Sequence, residues 1–216
     1  DESYMWEMPR DPPPIPISLG GGSLASQTLR LKAELAAAWA SETVPRMSLA
    51  SWYVRKWGRI GRLSDVALME YVTAREVALT DHRTYGVASW SKVLALRDPR
   101  QFAIFDARVS ASLNSLLLLS GRRDSIFPAL PSRNTRIMAF QRWLRQNSDL
   151  VDPGSRPLKK PYRRYLELLG EASTDLGPDA LSKAEMILFA HAEVLTSTAM
   201  ARLRKAGSGA KLVEEV

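Results

Sequence analysis

The residues whose types and spacing can do chemistry are concentrated in one stretch. It runs Thr84-Tyr85-Gly86-Val87-Ala88-Ser89-Trp90-Ser91-Lys92-Val93-Leu94-Ala95-Leu96, then the breaker Arg97-Asp98-Pro99-Arg100-Gln101, the apolar tetrad Phe102-Ala103-Ile104-Phe105, and Asp106-Ala107-Arg108-Val109. A glycine in a tight hairpin between helices lets backbone N–H groups approach a phosphate, and the helix start that follows adds its partial positive charge. Gly86, Val87 and Ala88 have that order, which suits holding a nucleic-acid backbone without reading bases. Lys92 is the only lysine of the stretch, and a nucleophilic amine needs a pKa lowered by desolvation or nearby cations. Asp106 heads an apolar helix and has two uses. It is a good N-cap, and it is a fixed anion able to stabilise a developing positive charge. The two are compatible, because a helix N-terminus helps keep a carboxylate ionised.

The stretch resembles the helix-hairpin-helix DNA glycosylases, most closely their bacterial 8-oxoguanine glycosylase-like (OGG-fold) branch. The family's Gly-Val-Gly hairpin is similar to Gly86-Val87-Ala88, the helix after it to Ser91-Lys92-Val93-Leu94, and the apolar-Asp-x-His/Arg-Val signature to Phe105-Asp106-Ala107-Arg108-Val109. The resemblance implies an all-α, two-lobed glycosylase-like fold and an N-glycosylase that flips out and excises a modified or damaged base. It implies that Asp106 stabilises the charge developing on the deoxyribose and helps activate the attacking water or amine. Bifunctional members also carry a lysine that forms a Schiff base with the sugar. Lys92 is the candidate here, although alignment on the hairpin puts Trp90 at the usual lysine position, so lyase activity stays open. Arg108 stands where many relatives have histidine; it is either a phosphate contact or one half of a surface ion pair. Bacterial relatives often sit in antiviral defence loci, so the implied substrates include a modified phage base as well as 8-oxoguanine. No cofactor or metal is implied.

Base flipping needs an aromatic wall for the base and cations for the bent backbone. Arg55, Lys56, Arg59 and Arg62 surround Trp57 in one basic cluster; Asn134, Arg136, Arg142, Trp143 and Arg145 make a second, and Lys159, Lys160, Tyr162, Arg163, Arg164 and Tyr165 a third. Lys56, Arg59, Arg62 and Arg142 are the DNA-binding candidates from these clusters, and Trp90, Trp143 and Tyr162 the base-pocket candidates. Each cluster also has a plainer explanation, a solvated helix face whose aromatic turns into the core.

Composition narrows the rest. The 216 residues include no cysteine and two histidines, His82 and His191. Thiolate zinc sites, disulfides, iron–sulfur clusters and cysteine nucleophiles are therefore excluded, and a polyhistidine metal site is not expected. The formal charge of +7 makes a polyanion the first partner to consider. The longest apolar run, Leu116 to Leu119, falls far short of a membrane span, and the start lacks a basic-then-apolar signal, so a cytoplasmic protein with no membrane partner is expected.

The elements that must position these residues read as helices throughout. Residues 1–23, with Pro12-Pro13-Pro14 and Gly20-Gly21-Gly22, are expected to form an extended arm that packs through Tyr4, Met5 and Trp6. A helical domain is expected over 24–206 and a tail over 207–216. Its helices are expected at Leu24–Ser41, Ser48–Trp57, from the cap Ser64 through Leu79, Ser89–Leu96, Asp106–Gly121, Ser132–Gln146, Pro161–Ala172 and Pro178–Lys205. Arg122–Pro131 and Asp149–Pro161 read as loops. The fold class is all-α. Two functions remain open: the glycosylase, or a non-catalytic DNA-binding or partner-docking module on the same scaffold.

Overall fold

The computed structural model describes residues 3–82, 85–123, 126–147 and 158–211; for His82 and residues 206–211 it describes the backbone alone. Among these residues the protein is all-α, with nine α-helices and no strand. They are α1 (Leu24–Ser41), α2 (Arg46–Ser51), which runs on into a π-helical turn at Trp52–Trp57, α3 (Asp65–Thr73), α4 (Glu76–His82) and α5 (Val87–Arg97). There follow α6 (Ala107–Leu119), α7 (Thr135–Gln146), α8 (Pro161–Ala172) and α9 (Ala180–Lys211).

Helix starts follow local chemistry. Ser23 accepts from the Ser26 amide at 3.2 Å, Ser64 from Ala67 at 3.2 Å, and Pro161 occupies the first turn of α8, where its missing N–H costs nothing. Four expectations are corrected. The second helix begins at Arg46 rather than Ser48, and its last turn is π rather than α. The third is two helices: Ala74 turns extended, and the Arg97 guanidinium donates to the carbonyls of Tyr71 (2.8 Å), Val72 (2.5 Å) and Ala74 (3.0 Å), satisfying the acceptors exposed at the end of α3. The sixth, expected from Ser132, starts at Thr135, because Asn134 accepts from the amides of Arg136 (3.0 Å) and Ile137 (3.1 Å). The last begins at Ala180 and runs to Lys211, into the stretch expected to be tail; residues 212–216 lie outside those described.

The chain divides into two compact units. The first comprises Asp1–Phe105 and Lys160–Ile187, and so holds α1 to α5, α8 and the start of α9. Its core gathers Leu31, Leu35, Leu49, Tyr53, Leu68, Trp90, Tyr162 and Tyr165, all buried, while Leu29 of α1 is half-buried. Within it Lys32 and Glu185 form an ion pair at 2.5 Å with side chains 2% and 4% exposed. The arm belongs to this unit. Tyr4 is buried, the Trp6 indole donates to the Trp57 carbonyl at 3.1 Å, and the Trp52 indole donates to the Asp11 carbonyl at 3.0 Å. Met5, expected to pack, is exposed.

The second unit comprises Asp106–Lys159 and Leu188–Val216, with α6, α7 and the rest of α9. The described part of the expected loop 122–131 has no regular structure, but it is pinned where Phe127 and Leu130 are buried. Asn114 on α6 exchanges two hydrogen bonds with the Phe127 backbone at 2.8 and 3.0 Å. Ser110 donates to the Pro128 carbonyl at 2.6 Å, and Gln141 to that of Leu130 at 2.7 Å. Buried polar side chains thus supply the partners a strand or helix would otherwise give this backbone. Of the expected loop 149–161, residues 149–157 lie outside those described.

Candidate functional site

The expected hairpin falls between α4 and α5. Gly86 is the N-cap of α5 with φ +74°, the left-handed region that favours glycine. A Cβ there would lie 2.5 Å from the Tyr71 hydroxyl, so the position excludes a side chain twice over. The Gly86 carbonyl accepts from Ser89 at 2.8 Å and Trp90 at 3.1 Å, starting the helix, and the Trp90 indole donates to the Tyr85 carbonyl at 3.2 Å. Val87 is buried, Ala88 half-buried, and the Tyr85 ring almost fully exposed. Thr84 lies outside the described residues.

Lys92 sits in the second turn of α5 with 5% of its surface exposed, and its ammonium donates to the Ala88 carbonyl at 2.9 Å. Its stem passes against Gly58 at the end of the π turn. The neighbouring Ser91 hydroxyl accepts from the Phe105 amide at 3.1 Å. From the other side, Tyr162 donates to the Ala103 carbonyl (2.8 Å) and Tyr165 to that of Ile104 (2.9 Å). The tetrad 102–105 is therefore a buried segment without regular structure, three of whose backbone groups are met by side-chain hydroxyls and whose Phe102 amide donates to the Asp98 carbonyl at 3.0 Å. It delivers the chain to Asp106.

Asp106 opens the second unit as the N-cap of α6, one carboxylate oxygen accepting from the amides of Arg108 (2.9 Å) and Val109 (3.1 Å). Arg108 donates to Glu193 at 2.7 Å and lies over the Phe189 ring. Glu193 also accepts from the Asn134 amide at 2.8 Å and pairs with Arg136 at 3.2 Å. The Asn134 hydrogen bond first, then Arg108 and Arg136, hold this carboxyl below the usual glutamate range. The ion-pair alternative for Arg108 is thus realised, and a phosphate at this guanidinium would compete with Glu193.

The other candidates separate. In the first unit Lys56 pairs with Asp11 at 2.6 Å, Arg59 lies 4.4 Å from the Trp6 ring centroid, and Arg62 is exposed. Trp90 and Tyr162 meet edge to face at 4.7 Å, both shut into the core, so neither offers an open ring face. Lys160 and Arg163 are both held by Asp81, whose carboxyl is lowered chiefly by the Lys160 hydrogen bond. In the second unit Arg142 is exposed, and the half-buried Trp143 stacks on Phe140 at 6.4 Å. The His82 side chain lies outside those described, and His191 is exposed.

Sequence reasoning missed the Lys32–Glu185 pair and the close approach of the Lys92 stem to Gly58. The signal for the first was present: Lys32 falls among Thr28, Leu31, Leu35 and Trp39 on the buried face of α1. Among the described residues no group of three or more histidine, aspartate and glutamate residues could hold a metal, and no helix is long and apolar enough to cross a membrane. No protein-family model, no curated protein and no solved structure matches this chain.

Proposed function

We propose that this protein is a DNA N-glycosylase that excises a modified or damaged base, with α4–α5 as its helix-hairpin-helix and the two compact units as the two lobes of a glycosylase-like fold. The observation that carries the reading is a coincidence within one short helix: α5 opens on a left-handed glycine that admits no side chain, and carries the buried amine Lys92. A hairpin that bares backbone amides suits a phosphate, while a lysine kept from water is costly to maintain as mere structure. In this mechanism Asp106 supplies the fixed anion that an oxocarbenium-like transition state needs. Lys92 is the amine that attacks the sugar C1′ if the enzyme is also a lyase: the bond to the base breaks as the bond to nitrogen forms, and a Schiff base follows when the C1′–O4′ bond opens and the ring oxygen takes up a proton. Substrates implied by the resemblance are 8-oxoguanine and modified phage bases.

The test is a nicking assay on duplex and single-stranded DNAs containing these bases, with and without alkali. Breaks that need alkali and vanish in Asp106→Asn support a monofunctional enzyme; breaks without alkali, with a borohydride-trapped adduct lost in Lys92→Ala, support a lyase. Salt-sensitive binding with no break on any substrate would favour the second reading, a non-catalytic DNA-binding module. The enclosure of Trp90 and Tyr162, which offers a flipped base no open ring in the first unit, supports that alternative.

A further inference from the structure

One feature of the first unit both packs the core, through Trp52, Tyr53, Val54 and Trp57, and lies against Lys92. The helix that begins as α2 widens into a π turn over Trp52–Trp57, and the Gly58 amide closes it by donating to the Tyr53 carbonyl at 2.8 Å. Such widenings are uncommon and are found disproportionately at functional sites. Gly58 itself has φ −76°, so left-handed backbone does not explain the glycine. Space does. A Cβ at 58 would lie 2.7 Å from Cε and 2.8 Å from Cδ of Lys92, and 2.6 Å from the Val54 carbonyl oxygen. The two carbons nearest the amine therefore run through the volume a side chain at 58 would fill. On the opposite flank the Ala88 carbonyl takes the ammonium at 2.9 Å, so stem and head are both fixed.

We propose that the π turn and Gly58 form a slot that aims the Lys92 amine, making Gly58 a positioning residue for that amine's reaction with an aldehyde carbon. The inference rests on the reading of Lys92 as a Schiff-base nucleophile, and names what sets its direction. A methyl group at 58 displaces Cδ and Cε, and misplacing a reacting atom by about 1 Å can cost about 100-fold in rate.

The test uses the whole chain and two aldehydes. One is an abasic-site oligonucleotide, the other the small probe pyridoxal phosphate; each adduct is reduced with borohydride and located by mass spectrometry. With wild type, both are expected on Lys92. In Gly58→Ala the rate of reduction-trapped adduct at Lys92 falls by about 100-fold, while adducts at exposed lysines such as Lys56 and Lys159 are unchanged. If only the oligonucleotide fails to label wild type, the glycosylase reading fails while the slot survives on the small probe. If Lys92 in Gly58→Ala labels at the wild-type rate, the slot is overturned.

Because the Val54 carbonyl is also close, Gly58→Ala is compared in unfolding equilibria with Gly58→Ala in a Lys92→Ala background. A slot built for the lysine makes the alanine at 58 several-fold less damaging once the stem is gone. Equal damage in both backgrounds, including failure of both to fold, would assign the glycine to the backbone contact and overturn the proposal.

Discussion

Asparagine at position 106 would still accept the two amide hydrogens that Asp106 takes from Arg108 and Val109, but it carries no charge. Alanine would do neither. Asp106→Asn is therefore expected to keep the wild-type melting transition while abolishing base excision, whereas Asp106→Ala loses excision and about 1 kcal/mol of stability as well. A capping role alone would leave Asp106→Asn active, so paired melts and nicking assays separate the two roles. Glu193 offers a second test, through pH. Its carboxyl is held below the ordinary range by Asn134, Arg108 and Arg136. A folded-state pKa depressed in this way contributes stability above the unfolded pKa of about 4.3, and that contribution is lost as pH falls through the lower folded value. Wild type is accordingly expected to exceed Glu193→Gln in stability at neutral pH, and the gap to close under acid. A gap independent of pH in denaturant titrations would show that the charge of Glu193 does not matter.

The hairpin before α5 depends on one residue lacking a side chain. Gly86→Ala must hold φ near +74° with a β-carbon against the Tyr71 hydroxyl, two separate penalties. The expected loss is about 1–3 kcal/mol. Tyr71→Phe removes the oxygen but not the backbone strain, so in that background Gly86→Ala should cost less but still be unfavourable. Thermal melts of the four proteins check this; an unchanged cost in the Tyr71→Phe background would mean the hydroxyl simply moves aside. The same logic of one element finishing another explains the end of α3, where Arg97 from α5 takes three carbonyls that have no partner of their own helix.

The net charge of +7 is unevenly available. Arg108 and Arg136 are engaged by Glu193, Lys160 and Arg163 by Asp81, and Lys56 by Asp11, whereas Arg62 and Arg142 are exposed. DNA binding is expected to weaken log-linearly with salt, with a slope near 0.9 for each phosphate neutralised. Arg62→Ala and Arg142→Ala should each lower that slope by about 1, and Lys160→Ala should change it less, since Asp81 already pairs with that lysine. Equal slopes for all variants would take DNA away as the partner.

Class and many element limits were legible in the residues because they rest on short-range chemistry. Ser23, Ser64 and Asp106 cap helices through amides two or three positions ahead, and Pro161 starts α8 through its own ring. The hairpin glycine and the lysine after it were legible for the same reason, as a local order of residue types. What could not be read locally depends on partners distant along the chain. Lys32 stands out in the sequence as a lysine on the buried face of α1, but its partner Glu185 lies 153 residues later and only the fold brings the two together. Trp90 and Tyr162 are both plausible walls for a base until each is found closing off the other. The break at Ala74 needs Arg97, and the slot for Lys92 needs a π turn from another helix. Periodicity reports which face is apolar; only the packed chain settles which polar group ends up inside it, because burial is a property of what lies on top.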